Sequence, residues 1–178
     1  MILIMSDWRE IFGDGIAVSL GMSDVLFRRE DTIRNIYLVE AGAVTLERSL
    51  SDGSALTLKR TEAGALLAEA SLFAKHYHCD AVANEPSQLL MHPKTTILER
   101  LEKFPGSALA LLAGTSKEVQ RLRARVEILR LKRVADRLDA WLQFFDPPEK
   151  GEWVGVAEAI GVTPSALYRE LARRRETT

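Results

Sequence analysis

The sequence predicts an α+β protein: an N-terminal β-roll of the jelly-roll type, a long helix and a small α-helical domain. Three observations carry this fold class. Short strand-like segments separated by turn signals fill residues 1–106. Between residues 107 and 131 the apolar residues take up helical spacing instead. Residues 132–178 then hold further helical segments, the last two of which meet at Gly161.

The strand-like segments are rich in β-branched and aromatic residues, as in "NIYLVEAGAVTLERSL". The segment "SALTLKRT" alternates two faces, with Ala55 and Thr57 on one and Leu56 and Leu58 on the other. Asp52-Gly53, placed between two such runs, predicts a tight hairpin. "CDAVANE" and "SQLLMHP" fit further short strands. Many short strands at regular spacing predict a sandwich, jelly roll or barrel.

Residues 107–131 predict one long helix with a narrow apolar seam and a largely basic opposite surface. The seam residues recur at heptad-like spacing: Leu112, Val119, Leu122, Val126 and Leu129. A narrow seam on a long helix favours pairing with a second copy of the chain, so we interpret 107–131 as a dimerisation helix. The alternative is a helix that packs against its own domain.

Residues 132–178 predict a minimal helix-turn-helix DNA-binding domain. Gly161 can end the first short helix in a left-handed conformation. Thr163 is a suitable N-cap, and Pro164 follows at the first helical position. Side chains expected to face outward from the second helix, and to bind DNA, are Thr163, Ser165, Arg169, Arg173 and Arg174. The alternative is a generic helical hairpin whose terminal arginines only complement the helix dipole.

Charge and composition restrict the class of protein. Residues 1–106 carry 11 Lys/Arg against 15 Asp/Glu, whereas residues 107–178 carry 13 against 10, so only the second part is basic. The single cysteine, Cys79, excludes a disulfide framework and fits a reducing cytoplasm. No apolar run is long enough to cross a membrane, and the opening "MILIM" lacks the flanks of a signal peptide. We find no nucleophile–base pair, phosphate loop or cupin-type metal cluster, and therefore predict no enzyme.

The stretch "DVLFRREDTIRNIYLVEAGAVTLERSLSDGSALTLKRTEAGALLAEASLF" resembles the effector domain of the cyclic-AMP receptor protein/Fnr superfamily of bacterial transcription regulators. The long helix and the helix-turn-helix follow in the order of that family. The resemblance implies that residues 1–106 form an effector or sensor β-roll of the cyclic-nucleotide-binding-domain type. It also implies a homodimer that binds double-stranded DNA at a palindromic site, with RNA polymerase as a further partner.

Two residues depart from the members that bind cyclic nucleotide. Those members carry an Arg-Ser pair that grips the cyclic phosphate, whereas Cys79-Asp80 stand at these positions here. A neutral thiol cannot supply a charge-assisted contact, and an aspartate repels phosphate. Glu69 matches the family's ribose-contacting glutamate. The sequence therefore predicts that the effector domain does not bind cyclic nucleotide, and one cysteine cannot hold an iron–sulfur cluster.

The segment "KHYHC" lies in the same effector region and includes His76, His78 and Cys79. It resembles the haem-binding stretch of the carbon-monoxide-sensing members, which also place His and Cys ligands there. Histidine and thiolate both ligate haem iron. Haem, a metal or a redox role at these three residues is one hypothesis, and a polar surface loop beside a buried cysteine is the other. The alternative to a DNA-binding regulator is a haem, redox or small-molecule sensor, or an interaction protein of this fold, with weak or lost DNA binding.

The family usually continues past the recognition helix into a small β-wing, and the resemblance here ends near residue 175. The sequence therefore predicts a shortened head without the wing. Glu170 stands where the family usually has a small or apolar residue, and we expect it to pair with Arg174 four positions later on an exposed face.

Overall fold

The computed structural model describes residues 8–149 and 151–176. The opening "MILIM" run, at residues 1–5, lies outside the described residues. The chain divides into two compact units, residues 1–111 and 112–178. The division falls inside a long helix, whereas the sequence placed a domain boundary before it, at residue 107. Among the described residues, no helix combines the length and the apolar character that a membrane crossing needs.

The first unit contains two four-stranded sheets in which all strand pairs are antiparallel. The strands are β1 (Ile16–Leu20), β2 (Val25–Phe27), β3 (Asn35–Ala41), β4 (Ala43–Ser49), β5 (Ala55–Glu62), β6 (Leu66–Leu67), β7 (Asp80–Ala83) and β8 (Ser87–Pro93). One sheet has the order β1-β8-β3-β6 and the other β2-β7-β4-β5. Short 3-10 helices cover Trp8–Phe12 and Glu69–Ser71, and helix α1 (Lys94–Lys103) follows β8. The predicted β-sheet domain is confirmed.

The hairpin predicted at Asp52-Gly53 joins β4 to β5. The Asp52 carboxylate accepts hydrogen bonds from the Ser54 backbone N–H at 2.9 Å and from the Ser54 hydroxyl at 2.6 Å. Gly53 has a φ of +83°, a conformation that glycine adopts without a steric cost. The turn is therefore determined by residues adjacent in the sequence.

Burial along β5 does not follow the expected alternation of two faces. Leu56 and Leu58 are both exposed, and so are Ala55 and Thr57. The pairing of β4 with β5 shifts by one residue where Leu46 faces Lys59 but Glu47 faces Thr57. Such a bulge leaves one residue of β5 unpaired and alters which side chains face the core. The buried residue of β5 is instead Thr61, at 1% exposure, while Lys59 is half-buried and Arg60 between them is exposed.

The second unit is helical. Helix α2 (Pro105–Arg130) runs into it and is followed by α3 (Val134–Phe144), α4 (Trp153–Ala159) and α5 (Pro164–Glu176). Its core is a cluster of fully or almost fully buried residues: Ile128, Leu138, Val156, Ala157, Ile160 and Leu167. Gly161 adopts a φ of +65° between α4 and α5. The Thr163 hydroxyl accepts a hydrogen bond from the Ala166 backbone N–H at 3.3 Å, so the predicted N-cap is confirmed.

Candidate effector site and nucleic-acid interface

The candidate effector site lies on the face of β4, β5 and β7 that points into the β-roll. Val44 and Leu46 of β4 belong to the buried core. Thr61 lies directly opposite Val44, and Lys59 lies directly opposite Leu46. Cross-strand partners project to the same side of a sheet, and so do residues two apart on one strand. Lys59, Thr61 and also Arg48 therefore project from the inward face.

Glu69 is the acidic partner at this face. Its carboxylate accepts a hydrogen bond from the Lys59 ammonium at 2.8 Å, and the two side chains are 23% and 31% exposed, respectively. The Arg48 guanidinium donates from Nη2 to the His78 carbonyl oxygen at 3.1 Å. The sequence identified Glu69 but not the two cations. Their inward direction depends on the bulge and on strand pairing, neither of which the local pattern shows.

Cys79 and Asp80, which stand at the positions of the phosphate grip, point to opposite faces of β7. Cys79 is fully buried, and this burial raises the pKa of its thiol, while the nearby Arg48 guanidinium lowers it in part. Asp80 is paired with Glu47 across the strands, and its carboxylate accepts a hydrogen bond from the Arg29 backbone N–H at 2.6 Å. The segment therefore directs a neutral thiol inward, with no cation beside it on the same segment.

The two histidines of "KHYHC" do not converge with Cys79. His76 and His78 are exposed, whereas Tyr77, which lies between them, and Cys79, which follows them, are buried. His76 Nδ1 lies 3.1 Å from the Glu30 carbonyl oxygen. Within residues 8–149 and 151–176, no group of three His, Cys, Asp or Glu side chains could hold a metal ion. Alternating side-chain direction thus separates the three members of the hypothesised ligand set.

Four buried polar atoms around this face have no hydrogen-bond partner in the described part of the chain. They are Arg48 Nε, Thr61 Oγ1, Glu69 Oε2 and Ser71 Oγ. Thr61 and Ser71 are each 1% exposed. Most buried polar groups in proteins are hydrogen-bonded, so four unpartnered atoms in neighbouring segments are unusual. Sequence reasoning missed Thr61 and Ser71, because an isolated hydroxyl residue in a strand or turn carries no signal of its own.

The candidate nucleic-acid interface is the outward side of α5. Thr163, Ser165 and Arg169 are all exposed, and Ser165 and Arg169 lie four residues apart on one helical face. The Thr163 and Ser165 hydroxyl oxygens are 3.1 Å apart. Arg169 has no hydrogen bond or ion pair to any other residue that the structure describes. Its guanidinium is therefore available to an external partner.

Arg173 and Arg174 are engaged with Glu170. Arg173 Nη2 lies 2.7 Å from the Glu170 carboxylate, and Arg174 Nε lies 2.9 Å from it. The expected pairing of Glu170 with Arg174 is therefore confirmed. The expected position of Glu170 on an exposed face is wrong, because its side chain is only 11% exposed. Hydrogen bonds from Arg173 and, to a smaller extent, from Arg174 lower the pKa of Glu170 to about 2. Arg174 also pairs with Asp139 at 2.7 Å and donates to the Ala135 carbonyl, which ties α5 to α3.

Two further arginines support the turn between α4 and α5. Arg137 of α3 donates to the carbonyl oxygens of Ile160 and Gly161 at 2.9 and 3.0 Å. Arg125 of α2 donates to the Ala159 carbonyl at 3.1 Å. Carbonyl groups at a helix C-terminus lack partners within the helix, and cationic donors also complement the helix dipole there. These contacts hold the turn that positions the start of α5.

The predicted seam of α2 is exposed along the second unit. Exposure reaches 61% for Leu112 and 51% for both Leu122 and Val126. Val119 and Leu129 are 40% and 41% exposed. Ile128, which lies outside this seam, is instead buried in the core of the unit. One helix therefore carries both an inward-packed side and an apolar stripe that the rest of its own unit leaves uncovered.

Comparison with known proteins identifies the class. Residues 17–104 match the family model of the cyclic nucleotide-binding domain. A global nitrogen regulator of Synechococcus elongatus is 29% identical over 175 residues, covering 85% of this chain and 75% of that protein. Residues 17–104 are thus similar to cyclic nucleotide-binding domains, and the chain is similar to transcriptional regulators.

Solved structures agree with this class. The sensor domain of the transcriptional regulator DNR from Pseudomonas aeruginosa is 26% identical, with a TM-score of 0.54, and covers 71% of this chain and 82% of that one. FixK2 from Bradyrhizobium japonicum has a TM-score of 0.66 at 17% identity, covering 92% of this chain and 85% of that one, a likeness of fold alone. The nitrogen regulator and the DNR protein are both described as regulators.

Proposed function

We propose that this chain is a transcription regulator that binds double-stranded DNA as a homodimer at a palindromic site. The observation that carries the proposal is the outward side of α5, where Thr163, Ser165 and Arg169 are exposed at and beyond the helix start. Residues near the N-terminus of a recognition helix reach base edges in the major groove. An unpaired arginine four residues further along is suited to bidentate contact with guanine.

The exposed stripe of α2 supports the proposed homodimer. The stripe repeats in steps of three and four residues from Val119 to Leu129, the spacing of a two-stranded coiled coil. A two-fold pair would present two copies of α5 to successive major grooves, about 34 Å apart. RNA polymerase is the protein partner that such a regulator would contact once bound.

Arg169 and Arg173 have different expected roles. Arg169 would read sequence, while Arg173, whose side chain is 60% exposed despite its ion pair, would contact phosphate. The sequence also assigned Arg174 to DNA binding. Its side chain is 30% exposed and bound to α3, so we expect Arg174→Ala chiefly to loosen the packing of α5.

The test is fluorescence anisotropy with the full chain, on a palindrome selected from random DNA and on a scrambled duplex. Arg169→Ala should weaken palindrome binding by about 1–3 kcal/mol and blur the preference at one base pair of each half-site. Arg173→Ala should weaken all duplexes alike and flatten the salt slope by about one unit per phosphate lost.

Arg28→Ala, an exposed arginine of the β-roll, is the matched control and should leave both quantities unchanged. Selection that enriches no sequence would contradict the proposal. So would identical behaviour of the Arg169 and Arg173 variants.

The effector domain, in this proposal, does not take cyclic nucleotide. The support is the inward neutral thiol of Cys79 and the outward carboxylate of Asp80, where the resemblance implies a phosphate grip. Glu69, the residue implied to contact ribose, is bound by Lys59. Isothermal calorimetry with cyclic AMP and cyclic GMP should show no binding at micromolar concentration, and micromolar affinity for either would contradict this part.

A second candidate function is a small-molecule sensor or interaction protein of the same fold with weak DNA binding. The inward-facing Arg48 and Lys59 favour a ligand at the β-roll whether or not α5 reads DNA. The anisotropy experiment separates the two candidates, because only the regulator should distinguish the selected palindrome from scrambled DNA.

A further inference from the structure

Among the residues that the structure describes, two cations and one anion project from the inward face of β4 and β5 and the segment beside it. Lys59 is neutralised by Glu69, at 2.8 Å. Arg48 has no carboxylate partner among the described residues, and Nη2 bonds only the neutral His78 carbonyl. Charged side chains rarely point into a domain unless they are paired, because removing them from water is costly. The described residues of this face therefore leave one positive charge unbalanced.

Polar atoms around that charge are also unpartnered. Arg48 Nε has a free N–H, and Glu69 Oε2 is a free acceptor while its other oxygen binds Lys59. Thr61 lies two residues from Lys59 on the same side of β5, and its hydroxyl is unpartnered at 1% exposure. Ser71, also 1% exposed, lies two residues after Glu69 in the same 3-10 helix and has an unpartnered hydroxyl too.

We propose that this face binds a small carboxylate of single negative charge that also carries a hydroxyl donor. Arg48 receives the carboxylate, with Lys59 beside it, and Glu69 Oε2 accepts from the donor of the ligand. This inference rests on the proposed function, since it names the class of effector to which the regulator responds. The Lys59 and Glu69 side chains keep 31% and 23% exposure, so the ligand reaches the face from solvent.

The charges determine the ligand class. Arg48, Lys59 and Glu69 sum to one positive charge, and one carboxylate balances it. Asp80 adds no charge to this face, because it projects from the other side of β7 and binds the Arg29 N–H. Cys79, on the inward face, is a neutral thiol. A ligand without a donor would leave Glu69 Oε2 unpartnered, and an unmade hydrogen bond of a buried charged group is costly.

Thermal unfolding of the full chain tests the proposal with three probes, sodium lactate, glycerate and propionate, each measured against sodium chloride at equal ionic strength. A ligand that binds only the folded state raises the melting temperature with a saturable dependence on its concentration. Lactate and glycerate carry hydroxyl groups and should stabilise the protein. Propionate has the same chain without a hydroxyl and should bind at least about tenfold more weakly.

Three variants assign the response to these residues. Arg48→Met should abolish the response to all probes without lowering the ligand-free melting temperature, because it removes a charge that has no carboxylate partner among the described residues. Glu69→Gln should keep the response to carboxylates but bind lactate and propionate alike. Arg60→Met is the charge-matched control. Arg60 is the neighbour of Lys59 in β5, but it pairs with Glu62 and Glu85, so its replacement should leave the response to the probes unchanged.

The proposal is overturned if no probe stabilises the wild type beyond chloride, or if Arg48→Met responds as the wild type does. Preferential binding of cyclic AMP over the three probes would also overturn it. Its failure is distinct from failure of the regulator proposal, because palindrome recognition is measured without any probe. If the probes bind and no DNA sequence is preferred, the sensor function stands and the regulator function does not.

Discussion

Replacing Gly161 by alanine tests how the turn between α4 and α5 is built. Gly161 has a φ of +65°, and an added Cβ would lie 2.7 Å from Leu129 Cδ2 and 3.4 Å from Arg137 Nη1. The left-handed conformation costs an L-residue about 1–2 kcal/mol. The variant therefore combines backbone strain with a steric contact at the terminal methyl of one flexible side chain.

The magnitude follows from three effects. Leu129 is 41% exposed and can rotate away, which costs about 0.5–1.5 kcal/mol if it leaves its preferred rotamer. Alanine restricts the unfolded chain more than glycine does, which returns about 0.4–1 kcal/mol. The balance is a loss of roughly 1–2 kcal/mol. For a helical unit as small as residues 112–178, this lowers the melting temperature by about 5–15 °C.

Gly155 provides the matched control within the same unit. It lies in α4 at an exposed position, and a Cβ there would meet nothing within 4 Å. Gly155→Ala should therefore stabilise the unit by about 0.5–1 kcal/mol, since alanine is the better helix former. Urea and thermal unfolding, followed by far-ultraviolet circular dichroism, measure both variants. A Gly161→Ala variant as stable as Gly155→Ala would refute the left-handed turn.

Two further predictions concern the helical unit. Leu122→Glu combined with Val126→Glu should convert the dimer to monomers, as measured by multi-angle light scattering at micromolar concentration. The control variant Gln120→Glu should remain dimeric. A wild type that is monomeric under the same conditions would contradict the proposed dimer. The folded-state pKa of Glu170 is lowered from 4.5 to about 2, so its stabilising contribution is complete above pH 4.5 and disappears as the pH falls toward 2. Glu170→Gln should flatten the stability of the unit across that range in urea titrations, and an unchanged profile would show that the ion pairs do not contribute.

The features that the sequence predicted well are local. Asp52-Gly53 forms a hairpin because an aspartate that accepts from Ser54 and a glycine at positive φ act within four residues. Thr163 caps α5 for the same reason. The long helix predicted from residue 107 also agrees with the structure, in which α2 begins at Pro105, although helical structure already starts with α1 at Lys94. Periodicity and capping depend on neighbours along the chain, and these are visible in the sequence.

The candidate effector site was predicted only in part. Glu69 was identified through the family resemblance, but "SALTLKRT" alone indicated that Leu56 and Leu58 share a face of an alternating strand. One bulge makes Lys59 and Thr61 the residues that meet the core instead. The proximity of His76, His78 and Cys79 in sequence indicated a ligand set, yet their side chains diverge.

The sequence by itself determined the order of the elements, the turn at Gly161 and the segment in which Glu69 would be found. Only the tertiary structure decided which charges meet. Arg48 reaches the carbonyl of His78, 30 residues away, and Arg174 reaches Asp139, 35 residues away. Such contacts depend on strand register and helix packing, which are set by long-range closure of the core. A local pattern can therefore name a charged residue without showing whether it points to solvent or to a partner.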